Sequence, residues 1–342
     1  MRRKTGGAHW MASAKGPAMN RKILVLALTT AFLLFVHAAS AQGTKVHKVG
    51  VLLQGGSWYA MVDGLRHGLK DLGFVEGKQY ILDIRDGQGD LKEVERAARN
   101  FEEQKVSLIY TVATSVSLAA KDATATIPIV FVAGSDPVVV KLVKSFAAPG
   151  GRLTGVLYPA TDLTGKRLEL LREIVPNLRR VVTFYNPSNR SAVESAKQGR
   201  QAAQLLGLQF IERHVASVED LEKAVQAFRS NEADAYFSVS DAMIDNKIES
   251  IIEMGRVNKL PTMFYDPVAV AKGGLATYSG DFYEAGRLSA KYVQQILAGT
   301  NPADLAVERI DKLLFVINLK TAKQIGLSVP ESVLARADRV ID

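Results

Sequence analysis

The alternation of strand and helix patterns along the chain is the feature that most constrains its fold. From residue 48 onward, short apolar runs typical of buried strands are each followed by a segment with the apolar spacing of an amphipathic helix. Lys48–Gln54 and Ser107–Ala113 are runs of the first kind, and Leu91–Gln104 is a segment of the second kind. This alternation predicts parallel strands joined by crossover helices.

The alternation occurs as two series. The first series ends with a strand over Ile127–Ala133 and a helix predicted over Val138–Ala147, just before the breakers at Pro149–Gly151. The second series begins with a helix over Leu163–Val175 and ends with a strand over Pro261–Tyr265. Because the chain has 342 residues, each series is long enough to form a domain with its own core. We therefore expect two doubly wound parallel-sheet domains.

The last 70 residues break this rhythm. They contain a short strand over Gly274–Ser279, a long helix over Phe282–Ala298 and a further strand over Leu313–Ile317. This stretch is too short and irregular for a third domain of the same kind. It predicts a chain that crosses back to complete both sheets, which leaves a cleft between two hinged domains.

The first 41 residues have the features of a secretory signal. Asn20–Lys22 gives a basic start, Ile23–Val36 is an apolar run of 14 residues, and Ala39–Ala41 provides the small residues that a signal peptidase reads. The apolar run is shorter than the ~20 residues that a membrane-spanning helix needs. We expect Met19 to be the start and cleavage to occur before Gln42, with an uncleaved anchor as the alternative.

The sequence contains no cysteine. A lipoprotein signal requires a cysteine directly after the cleavage site, so neither a lipid anchor nor disulfide bonds are expected. The sequence therefore predicts a soluble protein exported to the bacterial periplasm and stabilised by the burial of apolar surface.

The net charge of the chain belongs mainly to the predicted signal. The first 41 residues hold six Lys and Arg residues and no acid, so their removal lowers the formal charge from +8 to +2. The rest of the chain has no basic stripe and no nucleic-acid recognition motif. No nucleic-acid partner is expected.

Catalytic and metal-binding motifs are not found in the sequence. There is no Gly-x-Ser-x-Gly nucleophile elbow and no Gly-x-x-x-x-Gly-Lys phosphate loop. His9 and His37 belong to the predicted signal, and His47, His67 and His214 have no ligand spacing among themselves. The sequence thus predicts a protein that is not an enzyme and that needs neither a metal nor a cofactor.

The loops after the predicted strands contain the candidate ligand-binding residues. In open parallel sheets, ligands bind beyond the carboxyl ends of the strands. The polar and aromatic residues in those loops are Gln54, Trp58, Tyr59, Thr114, Ser115, Ser135 and Asp136 in the first series, Asn186, Ser240, Asp241 and Tyr265 in the second, and Tyr278 and Asp281 in the crossing segment.

Several of the polar candidates have two interpretations. Thr114, Ser115, Asp136 and Asp241 precede predicted helices, where they could serve only as N-caps. A helix start also favours an anion, so Thr114 and Ser115 could bind the carboxylate of a ligand. An ammonium group would then be bound by Asp241, Asp281 or Asp136.

The aromatic candidates are similarly ambiguous. Trp58, Tyr59 and Tyr278 could pack against a ring or an acyl chain of a ligand, or they could belong to the core. The sequence leaves both interpretations open.

A set of segments carries a resemblance to a known family. The segments are Gly64–Gly77, Ile127–Pro137, Pro149–Gly155, Thr164–Leu171 and Val316–Gly326. In this order they cover the chain from about residue 47 to its end. The chain resembles the periplasmic substrate-binding proteins of ABC transporters, in the subgroup similar to tryptophan and aromatic amino-acid binding proteins.

The resemblance implies a type I periplasmic binding fold with three hinge crossings. It implies an N-terminal lobe of residues 47–157 plus 279–308 and a C-terminal lobe of residues 158–278 plus 309–342. It further implies a monomer that binds a small amino-acid-like ligand by domain closure and delivers it to an ABC permease in the inner membrane. A ligand-sensing module for a membrane receptor and a binding protein for a non-amino-acid solute are the alternatives.

The signal predicts a defined mature terminus. Protein expressed in a Gram-negative host should be recovered from the periplasm without detergent and should begin at Gln42, because Ala39–Ala41 satisfies the peptidase. N-terminal sequencing or intact-mass analysis checks this. An intact apolar segment in the membrane fraction would show an uncleaved anchor instead.

Overall fold

The computed structural model describes residues 46–342, which form one compact unit. The predicted signal and its cleavage site before Gln42 lie outside the described residues. Two sheets, each flanked by helices, make up the described part of the chain.

The first sheet has six strands in the order β11-β5-β4-β3-β1-β2, and all of its pairings are parallel. Its strands are β1 (His47–Leu53), β2 (Tyr80–Asp86), β3 (Leu108–Val112), β4 (Ile129–Ala133), β5 (Leu153–Leu157) and β11 (Glu308–Arg309).

The second sheet has seven strands in the order β13-β12-β10-β9-β8-β6-β7. Only the pairing of β10 with β12 is antiparallel. Its strands are β6 (Arg180–Tyr185), β7 (Gln209–His214), β8 (Ala235–Phe237), β9 (Thr262–Phe264), β10 (Ala276–Gly280), β12 (Leu313–Asn318) and β13 (Arg339–Ile341).

The helices connect the strands and cover the sheets. They are α1 (Tyr59–Asp71), α2 (Leu91–Glu103), α3 (Thr114–Ala123), α4 (Thr164–Ile174), α5 (Arg190–Leu206), α6 (Val218–Ala227), α7 (Ala242–Asp245), α8 (Ile248–Val257), α9 (Pro267–Ala271), α10 (Phe282–Leu297), α11 (Leu319–Ile325) and α12 (Glu331–Leu334). Within residues 46–342, none of the helices is long and apolar enough to cross a membrane.

Position in the sheet explains the strand patterns in the sequence. β3 and β4 lie in the middle of the first sheet, and every residue of both strands is buried because helices cover both faces. The edge strands β2 and β7 are only partly buried, which matches their mixture of polar and apolar residues. Continuous apolar runs therefore mark central strands, and mixed runs mark edges.

The chain passes between the sheets at three places. It leaves the first sheet after β5, returns to it after β10, and leaves it again between β11 and β12. The predicted fold, two doubly wound parallel-sheet bodies joined by three crossings, is confirmed.

Two local predictions in the first sheet are wrong. The helix expected over Val138–Ala147 is replaced by turns, because the N–H groups of Leu142 and Val143 both bond to the carbonyl of Pro137, and Lys141 has a φ of 62°. Strand β5 was not expected, because it directly follows the helix breakers at Pro149–Gly151. β5 is buried because it lies between β4 and β11 in the sheet, and the local sequence does not show this position.

Helices α1 and α10 pack against each other through glycines. A Cβ atom added to Gly64 would overlap the backbone oxygen of Tyr283, and one added to Gly286 would overlap that of Met61. The two helices can approach this closely only where no side chain stands between them. This contact holds α10, which follows a strand of the second sheet, against the first sheet.

The helix contact predicts opposite effects for two glycine-to-alanine substitutions. Gly64→Ala should lower the free energy of unfolding by at least about 2 kcal/mol, because the backbone of α10 must move. Gly165→Ala is the matched control. Its Cβ would only touch Ala202 at 3.7 Å, so we expect an increase of about 0.5 kcal/mol from helix propensity. Urea unfolding of both variants checks this, and equal effects would contradict it.

Candidate functional site

A cavity of about 620 Å³ lies where the carboxyl ends of strands from both sheets meet. It is lined by the loops that follow β1 and β2 in the first sheet and β6, β7 and β8 in the second. Its size is in the range of about 300–1,000 Å³ that is typical of small-molecule sites. Three sequence candidates line it: Gln54, Asn186 and Asp241.

Direct contacts join the two sheets beside this cavity. The hydroxyl of Ser135, in the loop after β4, lies 2.7 Å from the hydroxyl of Ser191 on α5 and 2.8 Å from that of Thr161. Gly56, at a φ of 61°, brings the loop after β1 so close to α7 that an added Cβ would lie 3.1 Å from the backbone oxygen of Asp245. The described conformation is therefore one in which the two sheets have closed on each other.

Asp241 is a buried carboxylate whose acceptor sites are already occupied by protein groups. It accepts hydrogen bonds from the backbone N–H of Asn186 at 2.7 Å, the side-chain amide of Asn189 at 3.0 Å and the N–H of Met243 at 3.1 Å. Burial raises its pKa to about 6. Asp241 caps α7 and joins it to the loop after β6.

Thr114 and Ser115 also make contacts of their own within the first sheet. The Thr114 hydroxyl accepts hydrogen bonds from the N–H groups of Gly134 and Ser135 at 2.9 and 3.1 Å. The Ser115 hydroxyl donates to the Gln54 side chain at 3.5 Å. The two hydroxyls therefore connect the loops after β1, β3 and β4, and their proposed role as carboxylate ligands stays a prediction.

Two other acidic candidates bond to backbone N–H groups. Asp136 accepts from Val138 at 2.7 Å in the turn that replaces the expected helix. Asp281 caps α10 and accepts from Tyr283 at 3.0 Å. Both side chains are only partly buried.

Three further sequence candidates, Tyr59, Tyr278 and Ser240, differ in their surroundings. Tyr59 is 39% exposed and donates to Asp86 at 3.1 Å. Tyr278 is partly buried and packs edge-on against the core residue Phe315 of the second sheet, with 6.3 Å between the ring centroids. Ser240 is buried, and its backbone N–H bonds to a serine hydroxyl of α5. The structure does not bring these three side chains together.

Four aromatic rings meet at the centre of the contact between the sheets, and all four are buried. Trp58 is stacked on Phe282, with ring centroids 5.1 Å apart, and its ring lies 6.1 Å from Tyr158 and 6.4 Å from Tyr265. Trp58 and Tyr158 follow strands of the first sheet, and Tyr265 follows β9 of the second. Of these rings, Trp58 and Tyr265 were sequence candidates.

Charged side chains surround the rings. Arg167 on α4 is fully buried, with its guanidinium carbon 5.9 Å from the ring centroid of Tyr265. Asp245 accepts a hydrogen bond from the Tyr265 hydroxyl. Asp266, the residue that follows Tyr265 in the chain, is fully buried. We call six of these side chains the central cluster: Trp58, Tyr158, Arg167, Asp245, Tyr265 and Asp266.

Several polar atoms of the central cluster have no hydrogen-bond partner within residues 46–342. They include the Arg167 Nε and Nη1 atoms, Asp266 Oδ2 and Trp58 Nε1, and the adjacent Gln54 Nε2 atom shares this property. A buried polar group without a partner costs about 1–3 kcal/mol, so such groups are rare in folded proteins. Their convergence at one place makes the central cluster a candidate binding site.

Burial controls the ionisation of the cluster. It lowers the pKa of Arg167 to about 9 and raises the pKa of Asp266 to about 6. Burial and the neighbouring Asp266 carboxylate together raise the pKa of Asp245 well above its usual value. The described residues contain no group of three or more His, Cys, Asp or Glu side chains that could hold a metal.

Tyr158, Arg167 and Asp245 were not predicted from the sequence as site residues, while Asp266 lies in a loop that the strand-end rule selects, directly after Tyr265. A signal for Arg167 was present, since it shares the apolar face of α4 with Leu171 and Ile174, all three of which are buried. An arginine on an apolar helix face needs a specific partner. Asp245 lies inside a predicted helix, where nothing distinguishes it from a solvated acid.

The comparison with protein families identifies the class of this protein. Residues 46–341 match the family described as ABC transporter substrate binding protein. The chain belongs to this family, which confirms the resemblance seen in the sequence.

Individual relatives are similar over most of their length. A tyrosine-binding protein of Clostridioides difficile (strain R20291) is 26% identical over 265 residues, which is 77% of this chain and 76% of the relative. A conserved domain protein of Vibrio cholerae has a structure that is 32% identical, with a TM-score of 0.80 over 86% of this chain and 100% of the other. The structure of an ABC domain from Streptococcus pneumoniae in complex with L-Trp is 26% identical, with a TM-score of 0.79 over 87% of this chain and 100% of the other.

The buried carboxylates predict that the protein becomes less stable between pH 5 and pH 7. A pKa raised on folding from 3.8 to about 6, as for Asp241 and Asp266, means that the folded state holds the proton more tightly than the unfolded state. Stability is therefore lost as pH rises through 6, by about 1 kcal/mol for each of these carboxyls. Acids with lowered pKa, such as Glu212 bonded to Arg200, lose their contribution only below about pH 4.5.

Urea unfolding of extensively dialysed protein at pH 5 and pH 7 measures this difference. Asp266→Asn should reduce the difference by about 1 kcal/mol, because the amide does not titrate. Asp304→Asn, at an exposed position, is the control and should leave the difference unchanged. A wild-type protein that is more stable at pH 7 than at pH 5 would contradict the prediction.

Proposed function

We propose that this protein is the solute-binding component of an ABC importer and that it binds an aromatic amino acid between its two sheets. The observation that supports this proposal most directly is the central cluster, where aromatic rings and unpartnered polar atoms meet at the sheet interface. Rings favour a flat apolar side chain, and unpartnered polar atoms favour a ligand with polar ends. A tyrosine-binding relative and an L-Trp complex of a structural neighbour support the same class of ligand.

Binding would proceed by domain closure. The groups of the central cluster come from loops of both sheets, so a ligand contacts all of them only when the sheets approach. A ligand that contacts both sheets shifts the equilibrium toward the closed form by its differential affinity. The three crossings provide the hinge, and the cavity of about 620 Å³ provides the route by which solvent leaves and the ligand enters.

The cellular setting follows from the family and the predicted signal. As part of the same proposal, the mature protein is a periplasmic monomer that presents its closed form to an ABC permease in the inner membrane. It carries out no catalysis and uses no cofactor. The N-terminal and C-terminal lobes are then residues 47–157 plus 279–308 and residues 158–278 plus 309–342, and each supplies one side of the cleft.

Ligand binding tests the proposal. L-tyrosine, L-tryptophan and L-phenylalanine should raise the melting temperature of the purified protein, since a ligand at 100 times its Kd adds about 2.7 kcal/mol to the stability. L-leucine, ribose and myo-inositol serve as comparison ligands. If one of these comparison ligands raises the melting temperature and no aromatic amino acid does, the proposed ligand class is wrong.

A pair of variants connects binding to the central cluster. Trp58→Leu should weaken the binding of the best aromatic ligand at least about fivefold, because an aromatic pair contributes about 1 kcal/mol beyond its buried area. Phe184→Leu is the matched control, since Phe184 is also fully buried and stacked on Tyr236, but in the core of the second sheet. Calorimetry should show an unchanged Kd for Phe184→Leu. Equal losses for the two variants would indicate a general loss of packing.

A further inference from the structure

We propose that the charged residues of the central cluster recognise the zwitterionic end of the ligand, with Arg167 binding a carboxylate and the pair Asp245 and Asp266 binding an ammonium. This inference rests on the proposed function, and it names the groups that select a free α-amino acid over other aromatic compounds.

Arg167 has few contacts for a buried charged side chain. Its guanidinium group is 0% exposed, yet only Nη2 has a hydrogen bond, to the Thr164 hydroxyl at 3.1 Å. Burial lowers the pKa of Arg167, and the hydroxyls of Tyr265 and Tyr158 act in the opposite direction. The unused donors at Nε and Nη1 lie on either side of Nη2, and one of them together with the second N–H of Nη2 can make a two-point contact with a carboxylate.

Within residues 46–342, the carboxylates of Asp245 and Asp266 are buried without a cation paired to them. Asp245 and Asp266 are each almost completely buried and repel each other, as the raised pKa of Asp245 shows after the larger effect of burial. Neither forms a salt bridge in the described part of the chain; Lys272, the cation that affects Asp266, is paired with Glu249. An ammonium group beside both carboxylates would remove their repulsion and supply the missing donor for Asp266 Oδ2.

Arg167 and the aspartates lie around the same tyrosine side chains. The Tyr158 hydroxyl is fully buried, and its pKa is raised by burial and by Asp245 and Asp266 but lowered by Arg167, so charges of both signs reach it. Tyr265 connects them, because its hydroxyl bonds to Asp245 while Arg167 lies over its ring. Buried charges of opposite sign that remain apart need partners from elsewhere. An α-amino acid carries both complementary charges on one carbon atom, with its side chain free to contact the rings.

This assignment differs from the one that the sequence suggested. The alternative uses Thr114 and Ser115 for the carboxylate and Asp241 for the ammonium. The carboxylate of Asp241 already accepts three N–H groups, at 2.7 to 3.1 Å. Thr114 already accepts two. Among the charged side chains of the central cluster, those with unpartnered atoms within residues 46–342 are Arg167 and Asp266.

A set of three ligands and matched variants tests the inference. The ligands are L-tyrosine, tyramine, which lacks the carboxylate, and 3-(4-hydroxyphenyl)propionate, which lacks the ammonium. Arg167→Met should weaken the binding of L-tyrosine and of the propionate at least about 30-fold, and that of tyramine less than about threefold. Asp245→Asn and Asp266→Asn should each weaken L-tyrosine and tyramine at least about 10-fold, and leave the propionate within about threefold.

The controls separate recognition from folding. Arg172→Met removes an exposed arginine of the same helix, and Asp304→Asn removes an exposed acid; both should leave all three affinities unchanged. Arg167→Lys keeps the charge but loses the two-point geometry, so it should reproduce the carboxylate-selective loss at about 10-fold if the Met variant does not fold. Calorimetry on variants with cooperative melting gives the three Kd values.

The outcomes are distinct. If wild type binds L-tyrosine but the Arg167 variants weaken all three ligands equally, or none, Arg167 is a structural residue and the inference is overturned while the proposed function stands. The same holds for the acids if their variants show no preference for the ammonium-bearing ligands. If wild type binds no aromatic amino acid, the proposed function fails, and the inference fails with it.

Discussion

The two sheets face each other with the edges at which their parallel strands end, and the rest of this structure depends on that arrangement. Parallel strands send all their carboxyl ends to one edge, and the three crossings set the two edges against each other. Every loop that follows a strand is thereby brought to one interface, including the loops that carry Trp58, Tyr158 and Tyr265. The glycine contact between α1 and α10 fixes one of the crossings, because it holds the helix that follows β10 against the first sheet.

The interface is unlike the two cores that flank it. The cores are apolar and close-packed, whereas the interface buries an arginine and two aspartates that have no partner of opposite charge within residues 46–342. Burying such groups costs free energy, so the closed arrangement gains its full stability only from a group that pairs with them. In the proposed function, this cost is the physical reason why ligand binding would be coupled to closure.

The candidates named from the sequence separate according to their partners in the structure. Gln54 and Asn186 line the cavity, and Trp58 and Tyr265 belong to the central cluster. Asp136 and Asp241 bond to backbone N–H groups two residues further along the chain, which is the capping type of interaction that the sequence also allowed, whereas Thr114 bonds to the loop after β4. The rule that ligands bind beyond strand ends thus selects loops that reach the interface between the sheets, but it does not say which side chain of a loop turns toward the interface. That choice depends on the packing of the opposite sheet.

The sequence by itself determined the fold class, because alternating apolar runs and amphipathic segments are local patterns that only parallel sheets with crossover helices satisfy. It also determined which loops meet, since strand direction fixes the edge at which each strand ends. The tertiary structure alone decided that Leu153–Leu157 is a strand, because its neighbours β4 and β11 lie far apart in the chain. The tertiary structure also decided which charged residues belong to the candidate site. Asp245 lies within a helix where its sequence resembles that of a solvated acid, and although Arg167 lies on an apolar helix face, only the folded sheets show that water and a partner charge are excluded from both residues.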